Sequence, residues 1–221
     1  MKEFDKLVEI VEVLRSPNGC PWDREQTLES ILENIIEEAY EVVNAINQED
    51  FDKIKDETGD LILQAVFISQ IAKELKKFSI ENVLENLNNK LIYRHPHVFQ
   101  NEALPKNVEE ALKVWESRKK ESNNILDEIP QNLPTLLYIY KVIQKSKRKN
   151  ILKISEREIL NNITKTLENF DLSKNEDIET LTLLLLTLLS YRNVRTEVNL
   201  RKKFLSSVKE LLENRGNPPR N

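Results

Sequence analysis

Three glycines in 221 residues leave this chain few ways to turn tightly, and that scarcity does most to decide its fold class. Hairpins, sheet corners and glycine-rich phosphate loops draw on glycine for left-handed backbone or close approach. Long helices joined by short connections do not. Charged side chains make up 32% of the residues, mostly Lys and Glu, which suit the outer faces of amphipathic helices. The predicted fold is all-α.

Helical periodicity bears this out along the chain. Phe4, Leu7, Val8, Val11 and Leu14 predict a first helix over 3–15, broken by Ser16-Pro17-Asn18-Gly19-Cys20-Pro21. A long helix is predicted from Arg24 to Asn47, with Leu28, Ile31, Leu32, Ile35, Ile36, Ala39, Val42, Val43 and Ile46 as its apolar stripe. A third runs from about Asp50 to Lys77 and is apolar on nearly every side from Leu61 to Ala72, as a central bundle helix is. A fourth covers Ser79 to Arg94 with Ser79 as its cap. His95–Lys106 reads as a loop and Val108–Lys120 as a helix. Glu121–Pro134 reads as a linker, so the expected domains are 1–122 and 123–221. The second is predicted to hold helices near Thr135–Lys149, Ser155–Asn169, Glu176–Ser190 and Glu197–Asn214, with a disordered tail over Arg215–Asn221.

Charge and cysteine usage narrow the function classes. A net charge of −4 argues against coating a nucleic acid, which needs a basic face. The lone Cys20 excludes an internal disulfide and suits a reducing, cytoplasmic compartment. The N-terminal segment mixes acids and bases through its apolar positions, unlike a signal peptide. The apolar runs Leu61–Ile68 and Leu181–Leu189 are too short to span a bilayer.

The acidic side chains carry the chemical signal. From Glu25 to Asp52 there are nine acids and no Lys or Arg. Glu25, Glu29, Glu33, Glu37 and Glu41 recur every fourth residue, and like charges at that spacing cost a helix about 0.2–0.5 kcal/mol per pair. Glu38 sits at the edge of the apolar stripe, three positions before Glu41. On the next helix Glu57 and Asp60 are also three apart, and Asp60 is predicted to face the bundle interior beside Gly59, where another backbone or a ligand has room to approach. Either pair alone is an ordinary solvated face, with Lys53 able to pair with Glu57. Together, two consecutive antiparallel helices that each set a carboxylate pair at the edge of a core call for a hard divalent cation, magnesium by default. Di-iron bundles use Glu-x-x-His pairs, and neither helix has a histidine.

Five segments, LRSPNGCPWDREQT (14–27), EEAYE (37–41), DETGDLILQ (56–64), KLIYRHPHVF (90–99) and VWESRK (114–119), resemble the MazG-type nucleoside triphosphate pyrophosphohydrolases over about the first 120 residues. The resemblance implies a homodimer that splits a nucleoside triphosphate into monophosphate and diphosphate with Mg2+ or Mn2+. It places Glu37, Glu38, Glu41, Glu57 and Asp60 in the catalytic set. Of these, Glu38, Glu41, Glu57 and Asp60 would hold the metal, while Glu37 and Asp56 support ligands or position water. It also implies that Lys90, Arg94, Trp115 and Lys119 contact the nucleotide. Trp22, expected in a loop, either stacks on a base or plugs the end of the bundle, and Gln26 is a further base contact. His95 and His97, separated by Pro96, are expected to fix their loop by hydrogen bonds. Glu37 or Glu41 would take the proton of the attacking water.

The second half lacks the signature. Where EE-x-x-E is expected stands Glu158-Ile159-Leu160-Asn161-Asn162, and Thr182 occupies the position of the second helix's aspartate. It reads as a degenerate copy of the same module. Two other readings stand beside the enzyme: a non-catalytic helical dimer that binds nucleotide or a protein as a regulator, and a nucleic-acid-associated protein using Lys141, Lys145, Lys147, Arg148 and Lys149.

Overall fold

The computed structural model describes residues 2–119 and 124–216, with Thr196 and 209–216 described as backbone only. All regular structure among the described residues is helical, and the chain divides into two compact units, Met1–Lys119 and Lys120–Asn221. The expected domain boundary at 122/123 lies outside the described residues, as does the tail from Asn217 onward. Arg215 and Gly216, expected in that tail, belong to the last helix.

Unit 1 is built from α1 (Lys2–Arg15), α2 (Pro21–Glu25), α3 (Leu32–Gln48), α4 (Phe51–Glu74), α5 (Ile80–Arg94), α6 (Pro96–Phe99) and α7 (Val108–Ser117). α4 is the central element and packs against α1, α3 and α5. Its C-terminal half buries Val66, Phe67, Ile71 and Ala72. With Val11, Ile31 and Ile80 these side chains make the core, and Phe4, Leu7, Val8, Ile35, Leu63 and Ile68 pack around it. A prediction fails at the long helix from Arg24, which is interrupted between Glu25 and Leu32. Thr27 and Ser30 exchange backbone-to-side-chain hydrogen bonds at 2.9 and 3.1 Å, and the Ser30 hydroxyl donates to Gln26 Oε1 at 2.7 Å. These local partners substitute for the helical ladder. Glu25 and Glu29 therefore fall outside α3, and the acidic ridge shortens to Glu33, Glu37 and Glu41. Two smaller differences follow from proline at the first helical turn: Pro21 opens α2, which holds Trp22, and Pro96 opens α6 inside the expected loop.

Arg15 ties the start of the unit together. Its guanidinium forms a two-pronged ion pair with Glu74 at 2.8 and 2.7 Å, donates to the carbonyls of Asp23 and Gln26, and lies 5.3 Å from the centre of the Phe67 ring. The α1–α2 turn closes through Gly19 N–H to Ser16 O and Cys20 N–H to Leu14 O, both at 2.8 Å. This turn requires glycine, because a Cβ at position 19 would lie 2.2 Å from Leu14 O.

Unit 2 comprises a 3-10 turn (Ile125–Glu128), α8 (Thr135–Arg148), α9 (Glu156–Glu168), α10 (Asn175–Tyr191) and α11 (Thr196–Gly216), with α10 packed against α8, α9 and α11. Its core holds Ile129, Ile143, Ile159 and Leu186, and the buried Gln144 amide donates to Ser190 O. Lys145 and Lys149 both pair with Glu128, and Lys147 donates to Tyr191 O at 3.0 Å over that tyrosine's ring. Three amines of the basic cluster thus have partners within the unit.

Gly19→Ala is expected to lower the stability of the protein by about 3 kcal/mol, near the upper end of ordinary single substitutions, because the clash is with backbone and no side chain can yield. Urea unfolding followed by circular dichroism measures it, and an unchanged midpoint would show that the turn has another conformation.

Candidate active site

The α3–α4 connection sets the register of the site. Glu49 adopts the left-handed conformation at φ 57°, which ends α3, and Asp50 caps α4 by accepting from Lys53 N–H at 3.1 Å. So short a link makes α3 and α4 antiparallel neighbours. Glu41 lies eight residues before Glu49 and Glu57 eight after it; Glu38 lies eleven before and Asp60 eleven after. The hairpin therefore sets Glu41 opposite Glu57 and Glu38 opposite Asp60.

The side chains follow that register. Glu38, Glu41 and Glu57 each bring one carboxylate oxygen to within 4.8 Å of the other two. Desolvation is the first cause that raises the Glu38 pKa above its ordinary 4.5, and the charges of Asp60, Glu41 and Glu37 add to it. A hydrogen bond from the Gln64 carboxamide works the other way. Glu57 is raised too, by desolvation first, then by its hydrogen bond to Glu41 and the charges of Glu41, Asp60 and Glu38. Asp60 is thus an electrostatic neighbour of the trio. Contrary to the expectation that it faces the interior, it is exposed, because the N-terminal turns of α4 project beyond the part of the helix buried in the core. A Cβ on Gly59 would meet nothing within 4 Å, so nothing among the described residues requires glycine there.

A second cluster forms around Trp115 on α7. The Arg94 guanidinium lies 5.1 Å from its ring centre, the Lys119 amine 6.0 Å, and the His95 ring 4.9 Å. His95 Nδ1 donates to Leu91 O at 2.8 Å, the loop-fixing role expected of it, whereas His97 Nδ1 is enclosed without a hydrogen-bond partner among the described residues. Lys119 also pairs with Glu116 at 2.7 Å. Lys90, one turn before Arg94, is exposed on α5, and Trp22 is 61% exposed on α2, so within the described residues of unit 1 it does not plug the bundle end. Gln26 is engaged locally, donating to Trp22 O at 3.1 Å. Gln64, within the segment DETGDLILQ, has no role in the sequence reading yet bonds Glu38. Its signal was a buried amide one turn beyond Asp60 in a segment otherwise apolar.

The three converging carboxylates of α3 and α4 form an acidic group that could hold a metal ion, and the cluster around Trp115 gathers cationic and aromatic side chains. The family model of the MazG nucleotide pyrophosphohydrolase domain matches residues 26–99. The chain is 37% identical over 219 residues to the nucleoside triphosphate pyrophosphohydrolase/pyrophosphatase MazG of Thermotoga maritima, covering 95% of this chain and 86% of that protein. It belongs to the MazG family. It is also 42% identical over 149 residues to the nucleoside triphosphate pyrophosphohydrolase of Escherichia coli K12, a match that takes in 64% of this chain and 56% of the relative's length. A crystal structure of a mazG-related protein from Thermotoga maritima matches 53% of this chain and 99% of its own, at 32% identity and a TM-score of 0.46.

A raised carboxylate pKa means that ionisation costs the folded state stability at every pH above it. That cost fades as pH falls through the raised pKa and is gone below the ordinary value of 4.5. Metal-free Glu38→Gln is therefore expected to melt above the parent protein at pH 7–8 and level with it near pH 4 (about half a unit below that value). Calorimetry across this range checks it; a variant that melts lower at pH 8 contradicts the repulsion.

Proposed function

We propose that this protein is a cytoplasmic, homodimeric, magnesium-dependent hydrolase that converts nucleoside or deoxynucleoside triphosphate and water to nucleoside monophosphate and diphosphate. The convergence of Glu38, Glu41 and Glu57 at the α3–α4 hairpin carries the reading. Three oxygens within 4.8 Å, with two of the groups pushed toward protonation by their neighbours, fit a hard divalent cation that takes oxygen ligands. Glu38, Glu41, Glu57 and Asp60 would hold magnesium or manganese. Bound there, the ion would neutralise charge on the triphosphate and lower the pKa of a water molecule.

The chain's own groups supply the rest. Glu37 stands beside Glu38 but outside the trio, whereas Glu41 is engaged with Glu57, so Glu37 is the better placed to accept the proton of the attacking water. Lys90 and Arg94 hold phosphate oxygens from adjacent turns of α5. Trp115 orients Arg94 and Lys119 through its ring face, and Lys119 leaves Glu116 to reach the substrate. Trp22 offers an exposed aromatic face to the substrate.

A second copy of the chain covers the apolar surface beside the acids. α3 leaves Leu32 55%, Ile36 58% and Ile46 54% exposed, and α4 leaves Ile62 43% exposed. The predicted stripe is wider than α1 and α4 can cover, and such patches mark interfaces. Residues 123–221 we read as a degenerate second module without a metal of its own. Its Glu158 is spent on a capping box with Ser155, bonded at 2.7 Å, and among the described residues the only acidic group suited to a metal is the one in unit 1.

Incubation with each triphosphate and magnesium is expected to release diphosphate, and Glu38→Gln and Asp60→Asn to lower kcat by at least about a hundredfold, as for the loss of one group stabilising transition-state charge. Orthophosphate as product would reassign the reaction. Ile36→Glu is expected to convert a dimer to a monomer in light scattering while helix content is kept; a monomeric parent protein would overturn the dimer.

A further inference from the structure

Asn82, Asn86, Lys90 and Arg94 follow one another every fourth residue on α5. They form one ridge about 18 Å long, at roughly 1.5 Å per residue. Its chemistry changes along its length, from two carboxamides to an amine to a guanidinium. Beside its first three members lies an open groove of about 470 Å³, whose apolar wall is Phe78, Val83 and Leu87. That volume is within the range of about 300–1,000 Å³ of small-molecule sites.

The polar wall is not uniformly available. Asn82 Oδ1 is occupied at the start of the helix, accepting from Ser79 N–H at 3.1 Å and from the Ser79 hydroxyl at 3.3 Å. The Asn86 carboxamide has no hydrogen-bond partner among the described residues, and Lys90 has no carboxylate partner there. A one-sided apolar groove along α5, with one unengaged carboxamide beside it and an unpaired amine at one end, fits a ligand that is flat and polar-edged at one end and anionic at the other. The amide offers a donor and an acceptor side by side, the pattern with which Asn reads a base edge.

We propose that this groove is the nucleobase subsite. Asn86 hydrogen-bonds the edge of the base, Phe78, Val83 and Leu87 lie against its face, and Lys90 stands where nucleoside gives way to phosphate. The assignment rests on the triphosphate reading above, because Lys90 is shared between the groove and the phosphate-holding pair.

The test assays the full-length protein, Asn86→Ala, Asn86→Gln and Trp22→Ala with the four ribonucleoside triphosphates, following diphosphate release. Binding of the four α,β-imido analogues is measured in parallel by calorimetry. Asn86 is exposed, so its variants retain the fold. Asn86→Ala is expected to cut kcat/KM for the preferred base by about tenfold, the upper scale of one lost hydrogen bond. Other bases change far less, the loss lies in KM, and Asn86→Gln restores part of it. Equal losses for all bases, no loss, a parent protein without base preference, or a preference that moves with Trp22→Ala alone would each overturn the subsite. Absence of diphosphate from every triphosphate would defeat the hydrolase reading by itself, and base-dependent binding of the analogues would then still decide the groove.

Discussion

Repulsion between carboxylates across the α3–α4 hairpin is the constraint around which unit 1 is arranged. The symmetric spacing about Glu49 forces Glu41 against Glu57 and Glu38 against Asp60, and neither segment of helix offers a cation within the trio. Desolvation and crowding raise the pKa values of Glu38 and Glu57, and the Gln64 amide that donates to Glu38 offsets part of the effect. The remainder is offset elsewhere on α4. Beyond Gln64 the helix turns into core, and burial of Val66, Phe67, Ile71 and Ala72 against Val11 and Ile80 holds the hairpin whatever its charged end does. Arg15 reinforces that far end by joining α1, the end of α2 and Glu74 through one nearly buried guanidinium. One helix thus carries both the site and the structure that tolerates it.

The cationic cluster obeys the opposite logic. Arg94 has an aromatic face where a carboxylate partner would otherwise neutralise it, and Trp115 holds it in place without discharging it. Lys119, paired with Glu116, is held ready but not bare. His95 fixes the geometry by binding Leu91 O with one ring nitrogen while its ring packs on Trp115. The trio of α3 and α4 thus gathers acids alone, while the end of α5 sets Arg94 on an aromatic ring.

Periodicity made most of this legible. Helices α1, α4, α5 and α7 to α10 lie within a few residues of their expected bounds, because each has an apolar stripe and a recognisable stop. The acidic pairs were legible for the same reason, since helical spacing alone puts residues three apart on one face. What stayed hidden depended on partners distant in sequence or on side-chain competition with the backbone. The break before α3 comes from Thr27, Ser30 and Gln26 bonding one another, while Arg15 takes carbonyls that a continuous helix would use. Nothing in the apolar pattern of Leu28, Ile31 and Leu32 reports either. Asp60 shares a helix face with the buried Phe67 and Ile71, which predicts it inward, yet a shared face does not show how far along the helix the core extends.

Unit 2 provides an internal comparison for what the acids are for. α9 and α10 pack against each other as a helical pair, and α10 keeps the continuous apolar run Leu183–Leu186. Glu158 on α9 has its carboxylate drawn to Ser155, which lowers its pKa where Glu38's is raised. A chain of this composition therefore builds and packs such helices without crowding carboxylates between them. The acids of α3 and α4 are not needed for a stable hairpin and, left unliganded, they weaken one. Side chains that oppose the fold at one end of a helix whose other end is its core carry a cost that protonation relieves at low pH and that a cation between them would relieve at neutral pH.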